Sequence, residues 1–189
     1  MIPLSKQPKH VSTEGNVGTF EVEAFYPGYG ITMGNSLRRI LLSSLEGAAI
    51  TQVKIKDVPH EFSTISGVTE DVIVILMNLK QLRFTSHSDE PQTVTLKIKG
   101  DKVVTGADIK LTPEVELMNT DAHIATLTAK TAELEIEFLI EKGIGYVPAE
   151  ERKKSKEEIG TIVMDAIFSP VVQVKSEVRS MRVGERTDF

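Results

Sequence analysis

One group of residues in this 189-residue chain that could carry out chemistry lies around position 60. His60-Glu61 begins like the H-E-x-x-H motif of zinc enzymes, but position 64 is a threonine and the second histidine ligand is lacking. Glu61 and Asp71 could form an acid–base pair, although carboxylates in a loop and at a helix start are usually solvated or cap the helix. A small α+β enzyme that uses scattered carboxylates and His60 is therefore one hypothesis, but it lacks a nucleophile–base pair.

A second candidate for chemistry is the glycine-rich stretch that contains Gly28, Gly30 and Gly34. Glycine loops can hold phosphates, but this spacing matches neither G-x-G-x-x-G nor G-x-x-x-x-G-K-[ST], and no acidic residue closes a βαβ unit about 20 residues further on. A glycine-rich turn between a strand and a helix is the better interpretation. We expect no cofactor on this chain.

The composition excludes several further kinds of site. The chain has no cysteine, which excludes disulfides, thiol nucleophiles and cysteine-ligated metals. Its four histidines are scattered, and no two of them lie four positions apart, so no helical metal pair is predicted.

Charge and hydropathy limit the possible binding partners and the cellular location of the chain. The net charge of -5 argues against autonomous binding to nucleic acid, since phosphate contacts need a basic surface. The sequence shows neither a signal peptide nor an apolar run of membrane-spanning length. We expect a soluble intracellular protein with no membrane partner.

Two helices are predicted. The first should begin at Thr32 as its N-cap and run to about Leu45, with Gly47 as a stop. The second should open at 69–71 and run to about Leu79. Because the second helix is apolar almost all round, we expect it to be largely buried.

Alternation of apolar and polar residues predicts strands in the rest of the chain. It occurs from position 17 to 26, at 51–56, within 93–140 and at 172–175, whereas 143–148 is predicted as a turn and 159–168 is left open between helix and strand. Many strands with two clear helices predict an α+β fold.

The first helix has the character of an interaction element. On a helical wheel, the apolar residues Leu37, Ile40, Leu41, Leu42 and Leu45 span one arc. Arg39 lies opposite this arc and Arg38 lies on its flank. A surface arginine is usually just solvated, but an arginine beside apolar surface, on a helix otherwise nearly free of charge, suits a protein interface. An assembly or scaffold protein is therefore the second hypothesis.

Four segments, in the same order along the chain, resemble the N-terminal domain of the alpha subunit of bacterial or plastid-type DNA-directed RNA polymerase. They are GITMGNSLRRILLSS at 30–44, HEFSTISGVTED at 60–71, GIGYVPA at 143–149 and DAIFSPV at 165–171. Shorter matches follow at 78–80, 178–179 and 184–188.

The resemblance implies a two-part architecture and a role in transcription. Residues 1–46 and 171–189 would form a discontinuous dimerisation subdomain, and 47–170 an inserted, mainly β subdomain. The implied function is a non-catalytic scaffold that dimerises and recruits the beta and beta-prime subunits, while catalysis and its magnesium belong to those subunits. The implied location is the cytoplasm, or the plastid stroma for a plastid-encoded chain.

The resemblance also implies contact residues. The dimer interface would include Leu37, Ile40, Leu41 and Leu45. The beta contact would include Arg38, Arg39, Ser43, His60, Glu61, Ser63, Thr64, Glu70 and Asp71. The beta-prime contact would include Lys175, Arg179, Arg182, Glu185 and Arg186.

Family members continue beyond the equivalent of Phe189 into a long helix that completes the dimer, then a linker and a DNA-binding domain. On this basis we expect the present chain to lack the promoter contact of that domain and to form a weaker dimer.

Overall fold

The structure, a computed structural model, describes residues 5–152 and 160–180. The chain divides into two compact units: unit 1 comprises residues 1–42 and 173–189, and unit 2 comprises residues 43–172. Helices combined with mostly antiparallel strands confirm the predicted α+β class. The dimerisation role assigned to the terminal segments stays a prediction.

Unit 1 contains an antiparallel hairpin followed by a helix. Strands β1 (Lys9–Glu14) and β2 (Val17–Glu21) pair around Gly15, which has a positive φ. Helix α1 spans Tyr29–Ser43, its last residue lying at the boundary with unit 2. The predicted N-cap at Thr32 is wrong, because Gly28, with φ at 85°, already ends the turn and the helix begins at the next residue.

The glycines at the start of α1 have a packing role within unit 1. A Cβ on Gly30 would lie 3.0 Å from Cγ1 of Val178, and one on Gly34 would lie 3.2 Å from the side chain of Ser176. The two glycines are four residues apart and so share a helix face. They let the segment around Val178 approach the helix closely. This packing role agrees with the interpretation of the glycine-rich stretch as a turn between a strand and a helix, and not as a phosphate-binding loop.

The strand predicted at 172–175 is wrong. The structure has no strand among residues 168–180, and Val172 is 82% exposed. Period-two alternation shows that a segment could lie on a sheet, but it does not supply the neighbouring strand whose hydrogen bonds define one.

Unit 2 contains, in the described part of the chain, most of the strands and two further α-helices. Its elements are β3 (Glu46–Ile55), α2 (Val72–Leu79), β4 (Phe84–Ser86), β5 (Gln92–Lys99), β6 (Lys102–Thr105), a 3-10 turn (Gly106–Asp108), β7 (Ile109–Lys110), β8 (Val115–Leu117), β9 (His123–Leu127), β10 (Glu133–Ile144), β11 (Tyr146–Val147), α3 (Ala149–Arg152), β12 (Thr161–Val163) and β13 (Ala166–Ile167).

The main sheet is built on the twelve-residue strand β10, which pairs with β3 and β5. The strand order in this sheet is β7-β5-β10-β3-β4-β8, and β12 also pairs with β3. Two smaller pairs, β6 with β9 and β11 with β13, complete the strands of the unit.

The main sheet has one apolar face and one charged face. Strand β10 buries Leu134, Ile136, Phe138 and Ile140 in the core, as the alternation predicted. The residues between them include glutamates that pair across strands, as in Lys97 Nζ to Glu135 Oε1 at 2.9 Å. A register slip of one residue would exchange the two faces, so this pattern holds the strands in place.

The glycine motif at 143–149 is only partly a turn. Gly143 and Ile144 end strand β10, and Gly145 makes the turn with φ at 68°. Strand β11 follows and pairs with β13, and the Phe168 amide donates to the Gly145 carbonyl at 2.8 Å. The segment left open between helix and strand contains strands β12 and β13.

Candidate protein-interaction surfaces

Helix α1 presents an apolar surface that unit 1 does not cover. None of its residues is buried, and Leu37 and Ile40 are 43% and 52% exposed. Leu41, and Leu45 just beyond the helix, are half-buried. The apolar arc is thus partly covered at Leu41 and Leu45 and open to solvent at Leu37 and Ile40.

The polar residues predicted on α1 are also exposed. Arg38, Arg39 and Ser43 all have solvent-accessible side chains, and Ser43 Oγ lies 3.2 Å from Ser44 Oγ. The Arg38 guanidinium therefore lies on the flank of an exposed apolar stripe, and Arg39 lies on the opposite side of the helix. Fork-like donors beside apolar surface are typical of protein interfaces.

In unit 2, the segment from His60 to Asp71, here called the contact loop, is organised by local hydrogen bonds. The Ser63 amide donates to the His60 carbonyl at 3.2 Å, and Ser63 Oγ lies 3.2 Å from His60 Nδ1. The Ser63 carbonyl then accepts from the amide of Val72, the first residue of α2. Glu61, Thr64 and Asp71 are exposed, and Asp71 holds the N-cap position without a side-chain capping bond. His60 thus has a local structural role, whereas the exposed Asp71 side chain makes no capping bond.

Glu70 differs from its neighbours in the contact loop, because its carboxylate is directed onto strand β9. Its side chain is 14% exposed. Oε2 accepts the Thr126 amide at 2.6 Å, and Oε1 lies 2.9 Å from His123 Nε2. Burial by itself would raise the pKa of Glu70, but these hydrogen bonds hold the pKa below its ordinary value.

Next to the contact loop lies an apolar surface that sequence reasoning missed. The second helix was predicted to be largely buried, but it buries Val72, Ile75 and Leu79 and leaves another face exposed. The exposed apolar residues here are Phe62 in the loop and Ile73, Val74 and Met77 on the helix, which are 75%, 39%, 41% and 59% exposed. The sequence carried no signal that could separate the two faces, because both are apolar.

The C-terminal residues predicted to contact beta-prime are only partly within the described structure. Lys175 and Arg179 are exposed, and Arg179 Nε lies 3.1 Å from Glu177 Oε1. Arg182, Glu185 and Arg186 lie outside the described residues.

Residues 5–152 and 160–180 contain no group of three potential metal ligands among their histidine, aspartate and glutamate side chains. Within the same residues, no helix is both long and apolar enough to cross a membrane.

The C-terminal end of α2 is anchored by an ion pair. Lys80 Nζ donates to Asp165 Oδ2 at 2.8 Å, and the Ala149 amide donates to Asp165 Oδ1 at 3.0 Å. The side-chain hydrogen bond from Lys80, followed by that amide, lowers the pKa of Asp165 below its ordinary value. One carboxylate therefore joins α2 to the start of α3.

This anchor predicts a pH-dependent contribution to stability. Because the pKa of Asp165 is lower in the folded chain, its contribution is fully present above the ordinary value of 3.8 and is lost as pH falls through the folded pKa. We expect Asp165→Asn to lower the free energy of unfolding at pH 7, and the difference from wild type to shrink below about pH 4. Urea titrations of both proteins from pH 3 to 7 measure this. A difference that is constant with pH would contradict the ion pair.

Exposed apolar surfaces on two helices of an α+β domain, one of which also carries two arginines, are typical of domains that bind other proteins. Residues 53–169 match the family model described as the RNA polymerase Rpb3/RpoA insert domain. The chain belongs to this family, and the resemblance noted from its motifs is confirmed.

Relatives agree with this assignment over most of the chain. It is 50% identical over 179 residues to the DNA-directed RNA polymerase subunit alpha of Alkaliphilus oremlandii, covering 95% of this chain and 56% of the relative. It is 51% identical over 170 residues to the protein of that name from Bifidobacterium adolescentis, covering 90% and 51% of the two chains. The corresponding protein of Carboxydothermus hydrogenoformans is 48% identical over 191 residues, covering 100% and 60%. The chain thus spans little more than half the length of these curated relatives.

Proposed function

We propose that this chain is a non-catalytic scaffold of a DNA-directed RNA polymerase. It self-associates through α1 and binds the beta subunit through the α1 arginines and the contact loop. It binds beta-prime through the segment from Lys175 to Arg186. This assembly takes place in the cytoplasm.

One observation carries the proposal. Helix α1 is 15 residues long, is amphipathic, and buries no residue. Most of the stability of a helix in water comes from packing its apolar face, so an uncovered stripe needs a partner. A second copy of the chain can cover the stripe symmetrically, while Arg38 on the flank of the stripe and Arg39 opposite it contact a different subunit.

Self-association is tested by placing a charge on the apolar stripe. We expect Ile40→Glu to weaken the dimer by about 100-fold or more, since each copy buries the new carboxylate and a two-fold interface feels the change twice. Analytical ultracentrifugation across a dilution series measures the dissociation constant. Thr32→Glu, at an exposed position opposite the apolar arc on the same helix, is the matched control and should leave it unchanged. A wild-type chain that stays monomeric at high concentration would contradict self-association, and an unchanged Ile40→Glu dimer would exclude this surface.

Recruitment of the beta subunit is tested at Arg39. We expect Arg39→Ala to change the free energy of unfolding by at most about 0.5 kcal/mol, as is usual for exposed residues, but to weaken binding to a bacterial beta subunit by about 2 kcal/mol or more. Arg39→Lys keeps the charge but loses the planar fork, so it should restore binding only in part. Titration calorimetry measures the affinity, with Lys130→Ala as the control for an exposed cation. Equal affinities of wild type and Arg39→Ala would refute the role of Arg39.

A further inference from the structure

Resting on the proposed function, we propose that Glu70 is a positioning residue for partner binding. Its carboxylate fastens the contact loop to strand β9 and holds the loop in one conformation, without itself touching the partner. The sequence grouped Glu70 with the exposed contact residues, and the structure separates it from them.

The end of the contact loop lies along β9 as an additional, irregular strand. The Thr128 amide donates to the Gly67 carbonyl at 2.9 Å, and the Thr69 amide donates to the Thr126 carbonyl at 3.0 Å. Val68 forms an isolated antiparallel bridge with Leu127. Strand β9 is therefore covered on the side opposite to its partner β6.

The Glu70 side chain makes the next hydrogen bond to β9, at a position where the backbone of the loop no longer reaches that strand. Position 70 lies two residues before α2, so the chain is already leaving β9. The Thr126 amide still needs an acceptor, and Glu70 Oε2 supplies it at 2.6 Å. Glu70 Oε1 lies 3.1 Å from Thr126 Oγ1 and 2.9 Å from His123 Nε2. Both carboxylate oxygens are occupied, and little of the side chain faces solvent.

Gly67, three residues before Glu70, also specifies the conformation of this part of the contact loop. Its φ is 78°, and a Cβ there would lie 2.9 Å from the Cβ of Ala132. Residues 67–70 are thus held by a left-handed glycine at one end and by the Glu70 carboxylate at the other. Holding a binding loop in its bound conformation reduces the entropy lost on association.

The inference is tested with three variants of the full chain. Glu70→Ala removes the acceptor of the Thr126 amide. Glu70→Gln keeps a carbonyl oxygen for that amide, and its NH₂ group can donate to Thr126 Oγ1 and to the imidazole. Glu61→Ala, which removes an exposed carboxylate from the same loop, is the matched control. Two properties are measured: amide hydrogen exchange of residues 67–71 in the free chain, and affinity for a bacterial beta subunit.

We expect Glu70→Ala to speed exchange of the loop amides and to weaken beta binding, each by about tenfold, as loss of a buried acceptor predicts. Glu70→Gln should restore both to within about threefold of wild type, and Glu61→Ala should leave loop exchange unchanged. If Glu70→Ala does not fold, Thr126→Val, which removes one hydroxyl partner, should show the same two effects at about threefold.

Two results would overturn the inference. If Glu70→Gln weakens binding as much as Glu70→Ala while loop exchange stays normal, Glu70 touches the partner directly. If Glu70→Ala leaves loop exchange unchanged, the carboxylate does not hold the loop. A wild-type chain that fails to bind beta would instead contradict the proposed function, and the exchange measurement on the free chain would still decide whether Glu70 holds the loop.

Discussion

Phe138→Ala is expected to lower the free energy of unfolding by about 3–5 kcal/mol, the usual cost of removing a buried aromatic side chain. Phe138 is 1% exposed and lies near the middle of β10. It is paired in register with Val53 on one neighbouring strand and with Val94 on the other. Since both neighbours are fixed in the ladder, the sheet cannot collapse to fill the cavity.

The measurement is urea denaturation of the full chain followed by circular dichroism. Glu137→Ala is the control, because Glu137 immediately precedes Phe138 and lies on the exposed face of the same strand; it should change stability by at most about 0.5 kcal/mol. A loss as large as the expected one would be a large part of the total stability of a small domain. A loss below about 1 kcal/mol for Phe138→Ala would contradict the position of this ring in the core.

Gly47→Ala is expected to destabilise the chain by about 3 kcal/mol or more, for a different reason. Gly47 and Gly143 face each other across β3 and β10, and Phe168 lies over this pair. A Cβ on Gly47 would lie 1.8 Å from the carbonyl oxygen of Phe168. Neither glycine has a positive φ, so the cost is a steric clash and not backbone strain. The backbone around Phe168 would have to move, which would break its hydrogen bond to Gly145.

Gly143→Ala provides the matched comparison, because the atoms that its Cβ would meet, 2.6–2.7 Å away, belong to the Phe168 ring. We expect the second-site change Phe168→Leu to recover part of the stability lost in Gly143→Ala and none of that lost in Gly47→Ala. Thermal denaturation of the two single and two double variants measures this. Equal recovery in both backgrounds would mean that the carbonyl of Phe168 is not the obstacle at Gly47.

The alternating strands could be predicted from the sequence because polar residues mark the face of each strand that contacts solvent and apolar residues mark the face in the core. In β5 and β10, lysines and glutamates alternate with aliphatic residues, so the core-facing set follows from position alone. The arginine-bearing helix could be predicted for the same reason, because its polar and apolar positions lie on different sides. Its role as an interaction element stays a prediction.

Predictions from the sequence were wrong where the two sides of an element do not differ in polarity, or where a strand would need a partner from a distant part of the chain. Helix α2 is apolar on both sides, so periodicity could not show which side the sheet leaves uncovered. The alternation at 172–175 looked like a strand, but no partner strand is present in the described residues. Pairing is a property of two segments, and one segment cannot encode it alone.

By itself, the sequence determined the α+β class, strands β5 and β10 of the main sheet and the family to which this chain belongs. The tertiary structure alone decided that Glu70 is held by Thr126, 56 positions away, and that two glycines from distant strands lie beneath Phe168. Local periodicity follows from the geometry of a single strand or helix, whereas these contacts depend on the register in which distant strands pair. A carboxylate that fastens a loop and one that is solvated are therefore the same residue in the sequence, and only the folded chain distinguishes them.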